Sequence, residues 1–487
     1  VTNSFDAALD AYIDTVLEDQ GVPGAAIAVV KDGAAYFKCY GVKRVGTGDK
    51  VGENTAFLIA SCSKAYTAAA IAALVDEGSI GWDDKVQEYL PEFTVHDPWI
   101  TQNLTVRDLL TMRIGLKRQG IVEWGRNYDI PHEEAFRRLQ YTEPECGFRE
   151  KHVNLNPAYT ALSVIVERLS GLDFADFIRR RIARPLGQTN TFSCDGFLAG
   201  ADDFAFPHVS LDGDVRALDE PRSGGRQGES CIYSSAADAA KWLQFHLDYG
   251  TAGDVQLISR DAMNEMHSPH SIGSSNQLAD EQFCDYGMGW WVVDFNGQPC
   301  LRHDGGEFGM NSRTILMHGT NLGIAIYLNM SVTAAHPVIG YRLLEAFTGR
   351  EQTDWLAVAK ERDARLRETA EAKMIEGYEV EASAPYSDDP GAYCGRYFNP
   401  GSGFVEIRLA GGVLEARFED GEIYDARLEH LGGGIFTFTP FYAGARARQA
   451  DHGALLGELG TRARLTIENG RCTKFSSSWF GIFARVN

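Results

Sequence analysis

The stretch Ser61 to Glu77 constrains this chain more than any other. It reads S-C-S-K-A-Y-T-A-A-A-I-A-A-L-V-D-E and is closed by Gly78. Its period is helical, yet it is apolar on nearly every face. Such a helix has no side to give to water and must run through a core, with other elements packed all round it. The five residues before it, Ala56-Phe57-Leu58-Ile59-Ala60, read as a strand. A strand therefore feeds directly into a buried helix, and the turn between them carries Ser61 and, one helical turn on, Lys64.

The rest of the chain supplies the layers such a helix needs. Val1 to Gln20 has the pattern of an amphipathic helix. Gly24 to Val30 and Ala34 to Tyr40 are apolar runs joined by Lys31-Asp32-Gly33, which predicts a hairpin. A helical middle follows. Asn156 with Pro157 opens one helix that ends at Gly171, and Ala236 to Tyr249 reads as another. Strands return at Gly289–Phe295, Ser312–Met317 and Gly323–Leu328. The sheet is built from both ends with helices inserted between, an α+β layered pattern. Trp355 to Met374 reads as a charged connecting helix. From about Tyr393 the texture becomes short alternating runs parted by Gly411-Gly412, Asp420-Gly421, Gly432-Gly433-Gly434 and Asn469-Gly470. Regular hairpin signals of that kind predict an antiparallel barrel or sandwich. Ser383, Pro385, Ser387 and Pro390 place a boundary near residues 375–390. The expected organisation is a catalytic domain over 1–350, a helical connector over 351–380 and a β domain over 381–487, within what 487 residues allow.

Composition removes several classes. The formal charge of −21 argues against nucleic acid or an anionic membrane as main partner, since both require a positive face. No run of 18 apolar residues predicts a membrane-spanning helix. Nine cysteines, an odd number with no C-x-x-C, fit a reduced cytoplasmic protein, with a leader removed upstream of Val1 left open. Neither a P-loop nor a G-x-G-x-x-G in strand–helix context is present, so no cofactor is expected.

Ser61 sits where a helix N-terminus gathers unsatisfied N–H groups and the positive dipole end, so a negative oxygen formed there is stabilised. Lys64, three residues on, can reach the Ser61 hydroxyl. The same dipole and the Ala-rich surroundings disfavour an ammonium, which predicts a neutral amine able to act as a base. Read alone, the spacing also suits a serine that merely caps a helix beside a solvated lysine.

The surrounding segments decide between these. Ile59-Ala60-Ser61-Cys62-Ser63-Lys64 is followed by Thr105-Val106-Arg107-Asp108-Leu109-Leu110-Thr111 with Gly115-Leu116. Then come Arg184-Pro185-Leu186-Gly187 with Thr191, Tyr233-Ser234-Ser235-Ala236-Ala237-Asp238, Tyr286-Gly287-Met288-Gly289-Trp290, and His303-Asp304-Gly305-Gly306 with Gly309 and Ser312. In content and order, from about residue 5 to 347, these resemble the serine β-lactamase and penicillin-binding-protein-like hydrolases, in their esterase and D-aminopeptidase branch. The tail resembles the lipocalin-like barrel appended to some members. The resemblance implies a β-lactamase-like α/β domain, an antiparallel sheet flanked by helices with a helical insertion, followed by a C-terminal antiparallel β-barrel.

It also implies roles. The family's second motif, Y-x-N, matches His152-Val153-Asn154, with His152 where a Tyr is usual. Either His152 moves the proton itself, an imidazole near 6.5 suiting neutral pH better than a phenol near 10, or the usual machinery is damaged. A histidine held by neighbouring backbone is the structural alternative, and Tyr159 or Tyr233 could substitute. Asn154 would contact substrate. The third motif matches His303-Asp304-Gly305: His303 would line the site, Gly305 would leave room for substrate, and the Gly306 N–H would join that of Ser61 in an oxyanion hole. His303 in place of the lactamase Lys argues against a dedicated β-lactamase.

The remaining candidates read as structural. His267-Ser268-Pro269-His270 reads as a loop, not a metal site. Asp83-Asp84 reads as the cap of the next short helix, Arg179-Arg180-Arg181 as a solvated face and Cys62 as packing. The expected activity is metal-independent acyl transfer through Ser61 on a small amide, ester or peptide substrate. An acyltransferase or peptide cyclase on the same scaffold and a non-catalytic binding member are the alternatives. Association of copies of the chain is a further expectation.

Overall fold

The structure is a computed structural model. It describes residues 5–118, 131–193, 203–211, 214–218, 228–274, 278–279, 281–307, 309–331, 333–366, 387–419, 425–440, 462–477 and 481–486. Two compact units are present. One comprises residues 1–93, 98–116 and 144–359, the other 94–97, 117–143 and 360–487.

The first unit is built on an antiparallel eight-stranded sheet. Its strands in chain order are β1 (Gly24–Lys31), β2 (Ala34–Gly41), β3 (Ser271–Ile272), β4 (Cys284–Tyr286), β5 (Trp291–Phe295), β6 (Gln298–Glu307), β7 (Met310–Met317) and β8 (Leu322–Leu328), arranged 3-4-5-6-7-8-1-2. The two ends of the unit thus meet side by side, with Ile27 opposite Ile326. β1 is buried along nearly its whole length, which requires cover on both faces. On one side Ala25, Ile27 and Val29 join a cluster with helix α1 (Ala7–Asp19). Asp6 caps α1 through the Leu9 N–H at 2.8 Å, and Leu9, Ile13, Val16 and Leu17 turn one stripe to the sheet.

On the other side lie the helices that carry the site. α2 (Ser63–Asp76) is buried from Ser63 to Leu74, as its all-apolar pattern requires. It is preceded by a single 3-10 turn, Ala60–Cys62. α3 (Val106–Leu110) starts with a capping box: Thr105 and Asp108 bond each other's backbone N–H groups at 3.3 and 3.0 Å. α4 (Asn156–Ser170) ends at Gly171 in the left-handed conformation. α5 (Ala236–Leu247), α6 (Arg260–His267) and α7 (Ala335–Thr348) complete the unit, the last joining α1 in the cluster on the opposite face.

The α+β class and the β-lactamase-like arrangement are as the sequence implies. Three details differ. β6 was not among the strands read from alternation, because Gly305-Gly306 interrupts its pattern. The run from Gly289 becomes a strand only at Trp291, since Gly289 has φ +80° and belongs to the turn before it. The cap expected at Asp83-Asp84 is also corrected. The cap position of the short helix Val86–Tyr89 is Lys85, with no side-chain bond. Asp84 instead accepts from Gly81 N–H and Tyr89 Oη, each at 2.6 Å, and Asp83 pairs with Arg107 at 2.8 Å. The Arg179–Arg181 run is partly exposed and ion-paired, to Asp176 and Glu77.

In the second unit the described strands form a closed antiparallel barrel: β9 (Gly395–Asn399), β10 (Gly403–Ala410), β11 (Val413–Phe418), β12 (Ala426–Gly432), β13 (Ile435–Pro440), β14 (Arg462–Glu468), β15 (Arg471–Ser477) and β16 (Gly481–Val486). Closure comes from β9 pairing with β16, Tyr397 opposite Arg485. Inward residues alternate along each strand, and Tyr397, Phe418, Leu465, Phe475 and Phe483 are all buried there. This interior is filled by side chains. The connecting helix is seen over residues 355–366, and of the boundary expected near 375–390 residues 375–386 lie outside the described residues.

Candidate active site

The turn that presents Ser61 is held under strain. Ala60 has φ +46°, a left-handed conformation that costs a residue with a side chain about 1–2 kcal/mol. It is fixed from both sides: the Ile59 N–H donates to the Ile232 carbonyl at 2.9 Å, and the Ile59 carbonyl accepts from Ser312 Oγ at 2.6 Å. The result points Ser61, half-buried, out of the head of α2.

Lys64 is 1 % exposed, and its Nζ lies 2.9 Å from Ser61 Oγ and 3.3 Å from the Glu229 carbonyl oxygen. Tyr159, on α4, sets its ring 5.6 Å below the same amine. Its hydroxyl donates to the Leu110 carbonyl at 2.6 Å.

β6 runs past this turn. β5 pairs with it only as far as Arg302, so from His303 onward that edge has no β5 partner, and the nucleophile turn packs there. The fit at Gly305 is tight. A Cβ there would lie 2.3 Å from the Ile59 carbonyl oxygen, 2.3 Å from Ser312 Oγ and 3.1 Å from the Ser61 nitrogen. Only glycine lets strand and turn meet so closely. Cys62 is packing, as read: its thiol is buried against the His303 carbonyl at 3.3 Å, and burial pushes it up to about 11.

His303 is 6 % exposed. Its Nδ1 faces the Asp304 carbonyl oxygen at 2.8 Å, and a carbonyl only accepts, so Nδ1 carries the proton. Nε2 is then an acceptor, and Tyr286 Oη donates to it at 3.0 Å. Burial above all pushes this imidazole down to about 3. His303 is therefore neutral at physiological pH and supplies no cation. Tyr286 is raised well above its ordinary range, by burial first and by Tyr159. In the sequence Tyr286 is singled out only as part of a segment that carries the family resemblance. Its bond to His303 crosses from β4 to β6, and spacing along the chain gives no sign of it.

His152 lies on the far side of Tyr286. Its ring packs 4.6 Å from the Tyr286 ring and 4.6 Å from Trp291, and its backbone N–H donates to Ile272 at 2.8 Å. The segment leading to it is anchored by Arg149, which bonds Asp108 at 2.7 Å. Burial alone would raise the Asp108 carboxyl, but Arg149 and Arg113 hold it below the usual range. Asn154, half-buried, stands between His152 and the start of α4. The chain thus brings Ser61, Lys64 and Gly305 to one place with Gly306 next along the strand, and beside them the Tyr286 ring meets His303 edge-on and His152 at a tilt. Tyr233 is buried on the strand Ile232–Ser234 and stacks on Phe192. Among the described residues no group of three His, Cys, Asp or Glu side chains is arranged to hold a metal ion.

A serine at the head of a buried helix, a lysine one turn on and a glycine-rich strand pressed against both define a serine acyl-transfer hydrolase of the β-lactamase and penicillin-binding-protein type. The chain belongs to the Beta-lactamase family, whose model matches residues 9–347. It is 24 % identical over 463 residues to an unguisins hydrolase, ungD, of Aspergillus violaceofuscus (87 % of this chain, 81 % of the relative). It is 27 % identical over 326 residues to penicillin-binding protein 4 of Amycolatopsis lactamdurans (66 % and 84 %). Among solved structures, the octameric penicillin-binding protein homologue from Pyrococcus abyssi matches with a TM-score of 0.63 at 20 % identity, covering 98 % of this chain and 99 % of that one. SurE matches at 0.58 and 20 %, covering 98 % of each.

Proposed function

We propose that this hydrolase cleaves an amide or ester bond of a small peptide-like substrate through an acyl-Ser61 intermediate. The observation that carries the reading is the 2.9 Å contact between Ser61 Oγ and Nζ of Lys64, which is buried from solvent. Neutral Lys64 takes the Ser61 proton as Oγ attacks the carbonyl carbon. The N–H groups of Ser61 and Gly306 receive the negative oxygen. The C–N or C–O bond then breaks, and the departing amine or alcohol takes up a proton, in this reading from His152. Water adds to the acyl group, frees the acid and restores Ser61. Asn154, His303 and Gly305 line the bound substrate. Because His303 is neutral, a substrate carboxylate finds no charge partner there, which supports neutral acyl groups over β-lactams.

Water as acceptor, rather than an amine, is supported by the relative named as a hydrolase, and a compound of the unguisin type belongs in the first substrate panel. Association of copies of the chain is part of the same proposal, and sedimentation velocity reads it directly. The test of the chemistry is intact-protein mass spectrometry after a fluorophosphonate probe. The wild type is expected to gain one adduct, and Ser61→Ala and Lys64→Met none. A folded wild type that stays unlabelled, or equal labelling of Ser61→Ala, refutes the scheme and favours a binding role.

A further inference from the structure

At the far end of α5 and α6 three histidines meet. His246 Nδ1 and His267 Nε2 are 2.9 Å apart, so a single proton lies between the two rings. His318 Nε2 donates to the His246 carbonyl at 3.1 Å, and its ring lies 5.2 Å from that of His267. The charges acting on these rings are one another's and that of Arg260, and burial leaves all three neutral. The outer nitrogens of the pair, His246 Nε2 and His267 Nδ1, are buried without a hydrogen-bond partner among the described residues. This neutral polar assembly has a guanidinium nearby, and two of its buried ring nitrogens are unsatisfied.

Beside it opens a cavity of about 620 Å³. Its lining includes Tyr249, Asn264, His267, Ser268 and His318 together with Leu301 and Leu316, which face each other across β6 and β7. Tyr249 is held at φ +51°, a strained conformation for an aromatic residue, with Arg260 stacked 4.0 Å over its ring. Leu301 and His303 point to the same side of β6, but His303 does not line this cavity. The space is of ligand size and mixed in character, with neutral imidazoles, Arg260 close by over Tyr249, and aliphatic side chains.

We propose that this cavity binds an amphiphilic monocarboxylate, its tail on Leu301 and Leu316 and its carboxylate beside His267 and His318. The carboxylate brings a negative charge beside the neutral cluster, which takes up a proton as it binds. No bond is made or broken. Binding and protonation are therefore linked, and affinity rises as pH falls.

The test is isothermal titration of the full-length protein with octanoate between pH 7.5 and 6.0, with octanol as a neutral probe. Octanoate is expected to bind one to one and about tenfold more tightly per pH unit lowered, the slope of one proton taken up. Octanol is expected to show no slope. Asn264→Trp, on the exposed face of α6, fills the cavity beside His267 and abolishes octanoate binding. His318→Gln keeps the cavity and flattens the slope. Absence of saturable octanoate binding to the folded wild type, binding unchanged in Asn264→Trp, or a slope that persists in His318→Gln each overturns the proposal. Fluorophosphonate labelling of Ser61 is independent of all three outcomes.

Discussion

Replacing Gly305 with alanine adds one methyl group at the closest approach in the site. That carbon falls 2.3 Å from the Ile59 carbonyl oxygen and 2.3 Å from Ser312 Oγ. Ordinary contact needs about 3.5 Å, so strand and turn must part by about 1 Å. Ser312 can turn away, but Ile59 offers a backbone atom adjoining the strained Ala60, and it cannot. Such overpacking costs about 1–3 kcal/mol of stability, a few degrees in Tm. The larger effect falls on activity, since the residue displaced carries the nucleophile. A misplacement of about 1 Å costs on the order of 100-fold. The assay is kcat/KM on any substrate that acylates Ser61, with circular dichroism melting in parallel. Gly306→Ala is the comparison: its Cβ meets only Asn311 Oδ1, at 3.2 Å, and its N–H is retained, so the loss there is expected to be under about tenfold. A Gly305→Ala protein with kcat/KM within twofold of wild type would refute the argument that this glycine sets the position of the turn.

Acid should unfold the protein early. His303 and His267 are each pushed down to about 3 by burial, while in the unfolded chain they titrate near 6.5. Below 6.5 the unfolded chain takes up protons that the folded one refuses, so stability falls with pH and levels off only below about 3. At pH 4.5 His303 alone withdraws about 2.7 kcal/mol, and a urea midpoint equal at pH 7 and 4.5 would contradict this. For His152, a pH–rate profile of His152→Phe is expected to lose a limb titrating near neutrality. A profile identical to wild type assigns proton delivery elsewhere, and Tyr286→Phe then becomes the variant to measure.

Much of this was legible in the chain. An all-apolar helix had to be buried, and α2 is. An i, i+3 Ser–Lys pair had to share a helix face, and Lys64 reaches Ser61. The hairpin signals after Tyr393 had to make a β domain, and alternation fixed which residues fill the barrel. What escaped was set by contacts distant in sequence. β6 hid because the glycines that let it touch the nucleophile turn also erased its pattern. The bond from Tyr286 to His303 joins two strands, and no local spacing encodes it. His152 was readable as a departure from Y-x-N, whereas its place against Tyr286 and Trp291 depends on β4 and β5. The neutrality of His303 depends on burial, which a motif does not state.

The division of the chain into units bears on how the protein can be cut. Of the described residues, 94–97, 117–118 and 131–143 group with the barrel, though they lie in the chain between α2 and α4. The barrel is thus no detachable tail. A gene stopped after residue 359 would still encode these residues but delete the partners they gather with, leaving orphaned chain just upstream of His152. Recombination that swaps C-terminal barrels among relatives faces the same difficulty: three pieces must be exchanged together. Inheritance of the barrel as a unit therefore requires a coordinated change within the hydrolase gene itself.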